Sequence, residues 1–467
     1  MIQLGTRFTR SALLAVAALG SSTTALAQTT PSSPSPPSPE PTPPPQSTET
    51  PTNPVAVDPS APALRPPAAP TPTDPAAGQV TPPATVFPSM AGPTLRLSDV
   101  FSIRIGIQLQ VWATAVQDAL PKADGSAGAF AENIYIRRGR IFLGGGLGKN
   151  LNYFILTETS NSGLPALNAD GSVTKNFTNF IIEDAFFDYK PNKYISFQGG
   201  LQLVPFTRNI LQSTATYWAI DIGGVSATYI NATQTSVVRD TGFQAKLNAL
   251  DSKLEVRGMV GQGVRVSDGP GRAPGKNDPR LTLYAQYNFL DPEAGYVFNG
   301  QYFGRKKILG VAGGIDYQKT GDENPYFATS ATLFAAIPVH GADAKNGDDE
   351  FGGQIEYLHF HNGRIPAAQL GKQDDLLIEA GYYNKAAKFS VFGKYEGRFF
   401  NSDDFLAPGM KLDVQNTQLY GGGVKYFFAE AAANLTLQYN YTTFPNQPST
   451  ARNSVSAIQL MAQVAYY

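Results

Sequence analysis

In the stretch Ile134-Tyr-Ile-Arg-Arg-Gly-Arg-Ile-Phe-Leu-Gly144, Arg138 and Arg140 stand two residues apart. On an extended chain that spacing puts both guanidiniums on one face. A row of fixed cations breaks no bonds; it attracts anions and lowers the barrier to their passage through a watery space. Alternation places further charges on the equivalent polar face: Arg104, Lys246, Arg257, Arg280, Lys394, Arg398 and Lys425, with the acids Asp184, Asp188, Glu255, Glu356, Glu379 and Glu396. The cations outnumber the acids, so a weak anion preference is expected of a pore lined by these residues. Arg137 falls on the opposite face, near a rim.

Bond-making chemistry is poorly supplied. With no cysteine, disulfides, thiol catalysis and Cys-bound zinc are excluded. Only 3 His are present, and none sits near a nucleophile signature. His359 and His361 are two apart on one strand but lack a third metal ligand at useful spacing. Gly144-Gly-Gly-Leu-Gly148 ends a strand with no helix after it, and Gly271-Arg-Ala-Pro-Gly-Lys276 is one residue short of a phosphate loop. Asp374-Asp375 and Asp403-Asp404 lie at strand or loop ends, placed for solvent or for divalent bridges to lipopolysaccharide. No enzyme activity, metal or cofactor is therefore expected. A net charge of -1 implies no nucleic-acid surface.

The elements that must position these charges are strands. In Phe101-Ser-Ile-Arg-Ile-Gly-Ile-Gln-Leu-Gln-Val-Trp112, apolar residues hold one face and Ser102, Arg104, Gly106, Gln108 and Gln110 the other. The last stretch repeats the pattern, with Ile458, Leu460, Ala462, Val464 and Tyr466 on one face and Tyr467 as overhang. Similar segments recur about sixteen times between 98 and 467, an even number in the bacterial range. Short turns such as 148–150, 190–193 and 249–251 alternate with long connectors such as 113–132, 159–177 and 204–236. That alternation is how membrane barrels thread. Two connectors on the short side, 290–306 and 340–348, are longer than this rule expects. The fold class is all-β: a transmembrane antiparallel β-barrel of about 16 strands, its terminal strand pairing with 101–112. The 28 Phe and 22 Tyr suit interfacial girdles, with Tyr466 assigned to one.

Three domains are expected. Residues 1–27 read as a signal peptide: Arg7 and Arg10, an apolar run from Ser11 to Gly20, and Ala25-Leu26-Ala27 for cleavage. Residues 28–93 hold about 22 of the 36 prolines and read as a disordered periplasmic linker, with peptidoglycan contact as its sharper use. Residues 94–467 form the barrel. No segment offers the ~20 apolar residues of a membrane helix, so an exported chain meeting a membrane must close as a barrel. The expected address is the outer membrane of a Gram-negative bacterium, among its lipid and lipopolysaccharide.

Three stretches carry a resemblance. They are 134–144 with Leu151-Asn-Tyr-Phe-Ile-Leu156; Glu183-Asp-Ala-Phe-Phe-Asp-Tyr189 with Gly199-Gly-Leu-Gln-Leu-Val-Pro-Phe206; and Arg239-Asp-Thr-Gly-Phe-Gln244. Together they are similar to the phosphate-selective porin O and P family over 94–467. The resemblance implies a homotrimeric porin, a passive channel for small anions or neutral solutes, with the loop 204–236 folded inward as a constriction. That loop holds no Lys and one Arg, Arg208, opposed by Asp221. This departs from the lysine cluster of phosphate-specific members. The alternative function is an envelope tether that uses the barrel as an anchor for the Pro-rich segment.

Overall fold

The computed structural model describes residues 94–118, 128–167, 173–175, 177, 180–224, 238–264, 278–319, 325–361, 372–400, 416–444 and 453–466. The expected signal peptide and Pro-rich linker, 225–236, the 271–276 glycine motif, Asp403-Asp404 and Tyr467 lie outside them.

Sixteen strands form one closed antiparallel ring. In chain order they are β1 Ser102–Gln117, β2 Phe130–Leu147, β3 Leu151–Ser162, β4 Phe180–Tyr189, β5 Ile195–Leu203, β6 Arg239–Ala249, β7 Leu254–Gly261, β8 Arg280–Asn288, β9 Ile308–Gln318, β10 Tyr326–Pro338, β11 Glu350–His361, β12 Gln373–Asn384, β13 Phe389–Phe400, β14 Thr417–Ala429, β15 Ala433–Thr443 and β16 Ser454–Tyr466. Each pairs with its sequence neighbours, and β16 pairs with β1 to close the ring. Closure satisfies every strand edge, which a chain surrounded by lipid requires.

The terminal strand meets β1 from Val116 down to Ile107, rather than from Phe101. Below Tyr466 the short strand Thr94–Arg96 folds back onto Ser102–Arg104 and takes over that edge.

Alternation is read out as two walls. Outward residues such as Ile105, Ile107, Leu109, Ile141, Ile155, Leu283 and Val464 are exposed, while Gln108, Gln110, Gln198, Gln354 and Gln463 on the other face are buried. A polar face buried inside an apolar shell is the reverse of a water-soluble protein and suits a lipid surround. Exposed aromatics gather toward both ends: Tyr189, Tyr194, Phe289, Phe351, Tyr426 and Tyr466 at one, and Phe130, Phe180, Phe243, Tyr357 and Tyr441 at the other.

Two connectors enter the barrel from opposite ends. The first, 204–224, leaves β5 and is buried from Val204 to Leu211 and from Ala215 to Ile220. The second, 289–307, lies between β8 and β9, at the end that carries Thr94 and Tyr466. It buries Glu293, Tyr296, Phe298, Gln301, Tyr302 and Phe303. The two segments meet: Phe298 N donates to Leu211 O at 2.7 Å, and Ser213 N to Phe298 O at 2.7 Å. Gly300 sits under Thr216, where a Cβ would come 2.5 Å from the Thr216 carbonyl. The connector after β10 packs beneath, with Asp348 N donating to Phe303 O at 3.0 Å and Asp343 N to Gly304 O at 3.1 Å. The lengths of 290–306 and 340–348 thus have a physical reason: the first is an inserted segment, and the second supports it.

Candidate functional site: a charged cavity inside the barrel

Two β-bulges shape the site. On β2 the pairing with β1 jumps from Arg138 to Ile136, so Arg137 is the extra residue. On β4 the pairing with β3 jumps from Asp184 to Ile182, so Glu183 is the extra residue. A bulge re-aims a side chain without ending the strand. Here each bulge turns a second charge inward: Arg137 and Arg138 are both buried, as are Glu183 and Asp184. The expectation that Arg137 faces outward is corrected by the first bulge.

The charges interlock. Arg137 Nε donates to Asp221 Oδ2 at 3.0 Å, and Arg138 binds the other oxygen of the same carboxylate. Arg140 pairs closely with Glu158 and reaches Glu183 at 2.8 Å. Arg239 bridges Glu183 at 2.8 Å and Asp184 at 2.9 Å. Four arginines thus face four carboxylates. Burial alone would raise the Asp221 carboxyl, but Arg137 and Arg138 hold it well below the usual carboxylate range.

Segment 204–224 closes the site from within. Arg140 Nη1 donates to Thr214 Oγ1 at 2.7 Å, Lys425 Nζ to Tyr217 O at 2.6 Å, and Gln463 Nε2 to Ala215 O at 3.1 Å. Asn209 N donates to Glu356 at 3.1 Å, and Ile220 N to Gln438 at 2.9 Å. The segment therefore spans the lumen from the β2 wall to the wall of β11, β14 and β15. Trp218 lies on β12 at Gly381, where a Cβ would meet its ring at 2.4 Å. Between segment and wall lies a cavity of ≈ 60 Å³ lined by Arg137, Arg138, Arg140 and Arg239, with Glu158 and Asp184. Apolar side chains, among them Leu156, Ile210, Ile222 and Val238, form its other side.

The other sequence-selected residues are placed as follows. Arg208 does not oppose Asp221. Its guanidinium bonds Glu293 of the second inserted segment at 2.7 Å and lies 4.0 Å from the Phe334 ring centroid. Lys246 pairs with Glu255 at 2.6 Å, and Arg257 spans Glu255 and the Tyr296 carbonyl at 2.8 Å. Arg280 pairs with Asp316 at 2.6 Å, Asp188 with Lys190 at 3.1 Å and Lys394 with Glu396 at 2.6 Å. Arg398 stands opposite Asp375 in the β12–β13 register. Arg104 stands apart at the rim, bonding Thr94 Oγ1 at 2.8 Å. Tyr466 is exposed on the outward face.

Sequence reasoning missed Glu158, Glu183, Arg239 and Glu293, and with them the buried acids Asp240, Asp316, Glu350 and Asp375. With these included, acids outnumber cations among the buried described residues, so the cationic excess counted from alternation is absent. At the cavity the four arginines are likewise matched by four carboxylates.

No protein-family model matches the sequence, and no curated protein matches it. Solved structures do. OprB of Pseudomonas putida, at high pH, aligns over 78% of this chain and 94% of its own, at 8% identity and TM-score 0.51. The outer membrane channel DcaP of Acinetobacter baumannii aligns over 80% and 99%, at 11% identity and TM-score 0.49. The outer-membrane expressed OmpT of Vibrio cholerae aligns over 80% and 100%, at 13% identity and TM-score 0.47. At 8% identity the match to OprB is a likeness of fold. The chain is a sixteen-stranded transmembrane β-barrel.

Proposed function

We propose that this protein is an outer-membrane porin, a passive diffusion channel for small hydrophilic solutes. The observation that carries the reading is the pair of walls, apolar outside and charge-paired inside, around a lumen narrowed by an inserted segment. About sixteen strands enclose room for an aqueous path, and selectivity then follows from bore and wall charge. The first 27 residues export the chain, 28–93 tether or space it in the periplasm, and the connectors entered from the Thr94 and Tyr466 end face that compartment. A homotrimer is the assembly the family resemblance implies. A weak preference for anions rests on the arginine donors at the cavity that meet no carboxylate, Arg138 Nε and those on Gln110 and Thr214, not on the overall charge count. Phosphate specificity is not part of the reading, since 204–236 carries no lysine.

Two of the three histidines serve as local partners: His340 binds Asp348 and His359 binds Asp374. Neither pair involves a serine or cysteine nucleophile, so catalysis is not proposed. Liposome swelling with uncharged sugars, together with reversal potentials across a potassium chloride gradient, tests the reading. Swelling with a potential displaced toward chloride supports it. Correctly inserted protein that gives no permeability refutes it, and would instead fit a barrel that only anchors the Pro-rich segment.

A further inference from the structure

The cavity at Arg138 is not built for a bare inorganic ion. Its lining combines four guanidiniums and the carboxylates Glu158 and Asp184 with hydrocarbon from Leu156, Ile210 and Ile222. A volume of ≈ 60 Å³ holds roughly four waters, or a solute of about four to six non-hydrogen atoms. One guanidinium donor there is unspent, and two more are spent on neutral acceptors. Arg138 is buried, and its Nε–H has no hydrogen-bond partner among the described residues. Arg138 Nη1 donates to the neutral Gln110 Oε1 at 2.8 Å, and Arg140 Nη1 to the neutral Thr214 Oγ1 at 2.7 Å. A carboxylate that replaced these neutral acceptors would gain charge-assisted bonds in a site largely shielded from water.

We infer that this cavity is a binding site for small aliphatic monocarboxylates, the class that places one carboxylate on Arg138 and Arg140 and a short hydrocarbon tail on Ile210 and Ile222. This rests on the channel reading above and names the solute class of the same site. Inorganic phosphate offers no tail to the apolar side, and a neutral alcohol offers no charge to the arginines.

The test is equilibrium binding to the full-length protein in detergent, read by saturation-transfer NMR and calorimetry, with single-channel current recorded separately. Sodium acetate, propionate, butyrate and hexanoate are compared with inorganic phosphate and 1-propanol. Affinity should rise about two- to fourfold per added methylene from acetate to butyrate. It should fall at hexanoate, which exceeds the cavity, and phosphate and propanol should bind more weakly than butyrate. Arg138→Gln should lower butyrate affinity at least tenfold. Ile222→Ser should flatten the chain-length trend while leaving acetate binding within about twofold. Both variants are to be compared only as heat-modifiable, barrel-folded protein. Phosphate binding as tightly as butyrate, or a trend that is flat in the wild type, overturns the inference. Carboxylate binding with no conductance would sustain the site and refute the channel; conductance without carboxylate binding would do the reverse.

Discussion

The two segments inside the barrel are held in opposite ways. Segment 289–307 leaves β8 and returns to β9, but it is packed by its aromatics onto β4, β12 and β14, with Arg208, Arg257 and Glu350 bonding it as well. Tyr296 lies on Phe186 with ring centroids 4.6 Å apart, and Phe303 meets Tyr383 and Phe427 edge-on at 5.2 and 5.3 Å. Segment 204–224 also crosses the lumen, but its last residues are fastened by charge, through Asp221 on Arg137 and Arg138. Aromatic packing against three separate strands makes a foundation that moves little. A polar clasp at the end of a long reach can be undone by one charge change. The difference assigns the lower segment to support and the upper one to the width of the path.

If that division is right, the largest loss of stability comes from the foundation. Phe303→Ala removes a buried ring shared by two partners and should cost about 3–5 kcal/mol, read as a lower denaturant midpoint of the detergent-refolded barrel. An unchanged midpoint would mean that the packing of 289–307 supports nothing. Asp221→Asn should cost less, about 2 kcal/mol, since lumen water can take up part of the unpaired guanidinium charge. Its distinctive effect is on the path: single-channel conductance should rise while the barrel stays intact. Equal conductance loss in both variants would erase the distinction between them.

Outside both segments, Tyr466→Ser removes a lipid-facing aromatic at the closing strand and should cost about 1 kcal/mol. The readout is a slower, less complete insertion into vesicles, and unchanged insertion would remove Tyr466 from the girdle. The smallest effect belongs to the support under the foundation. His340 is held above its ordinary pKa by its hydrogen bond to Asp348, in an exposed connector. A raised histidine pKa contributes stability that is present below the unfolded value and lost as pH rises through the folded one. The difference between wild type and His340→Gln should therefore be present near pH ~5 and gone by pH ~9. A difference that grows with pH would contradict the pairing.

The strands were legible because lipid outside and charge inside force strict alternation: β1 and β16 read correctly face by face. The bulges were not, since periodicity counting assumes one residue per partner. The sequence still held a signal for them. Arg137-Arg138 and Glu183-Asp184 are adjacent charges in mid-strand, and regular alternation would put one of each pair into lipid, at about 2–4 kcal/mol for an arginine at mid-depth. A bulge removes that cost. Asp374-Asp375 needs none, because Asp374 sits at the rim beside His359 and Tyr357. The inserted 289–307 was legible only as an anomalous length. Its aromatics, in Tyr296-Val-Phe-Asn-Gly-Gln-Tyr-Phe303, are what a solvent-facing turn would not carry. The Arg208–Glu293 pair was beyond sequence reach, because it joins two connectors whose meeting depends on both folding inward.

Single-channel recording of the wild type beside Asp221→Asn, in one planar bilayer system, tests the central claim most directly. The account predicts discrete conductance steps for the wild type and larger steps for the variant, both with reversal potentials on the chloride side. Folded, inserted protein that gives no steps, or steps of equal size in the two proteins, would contradict it.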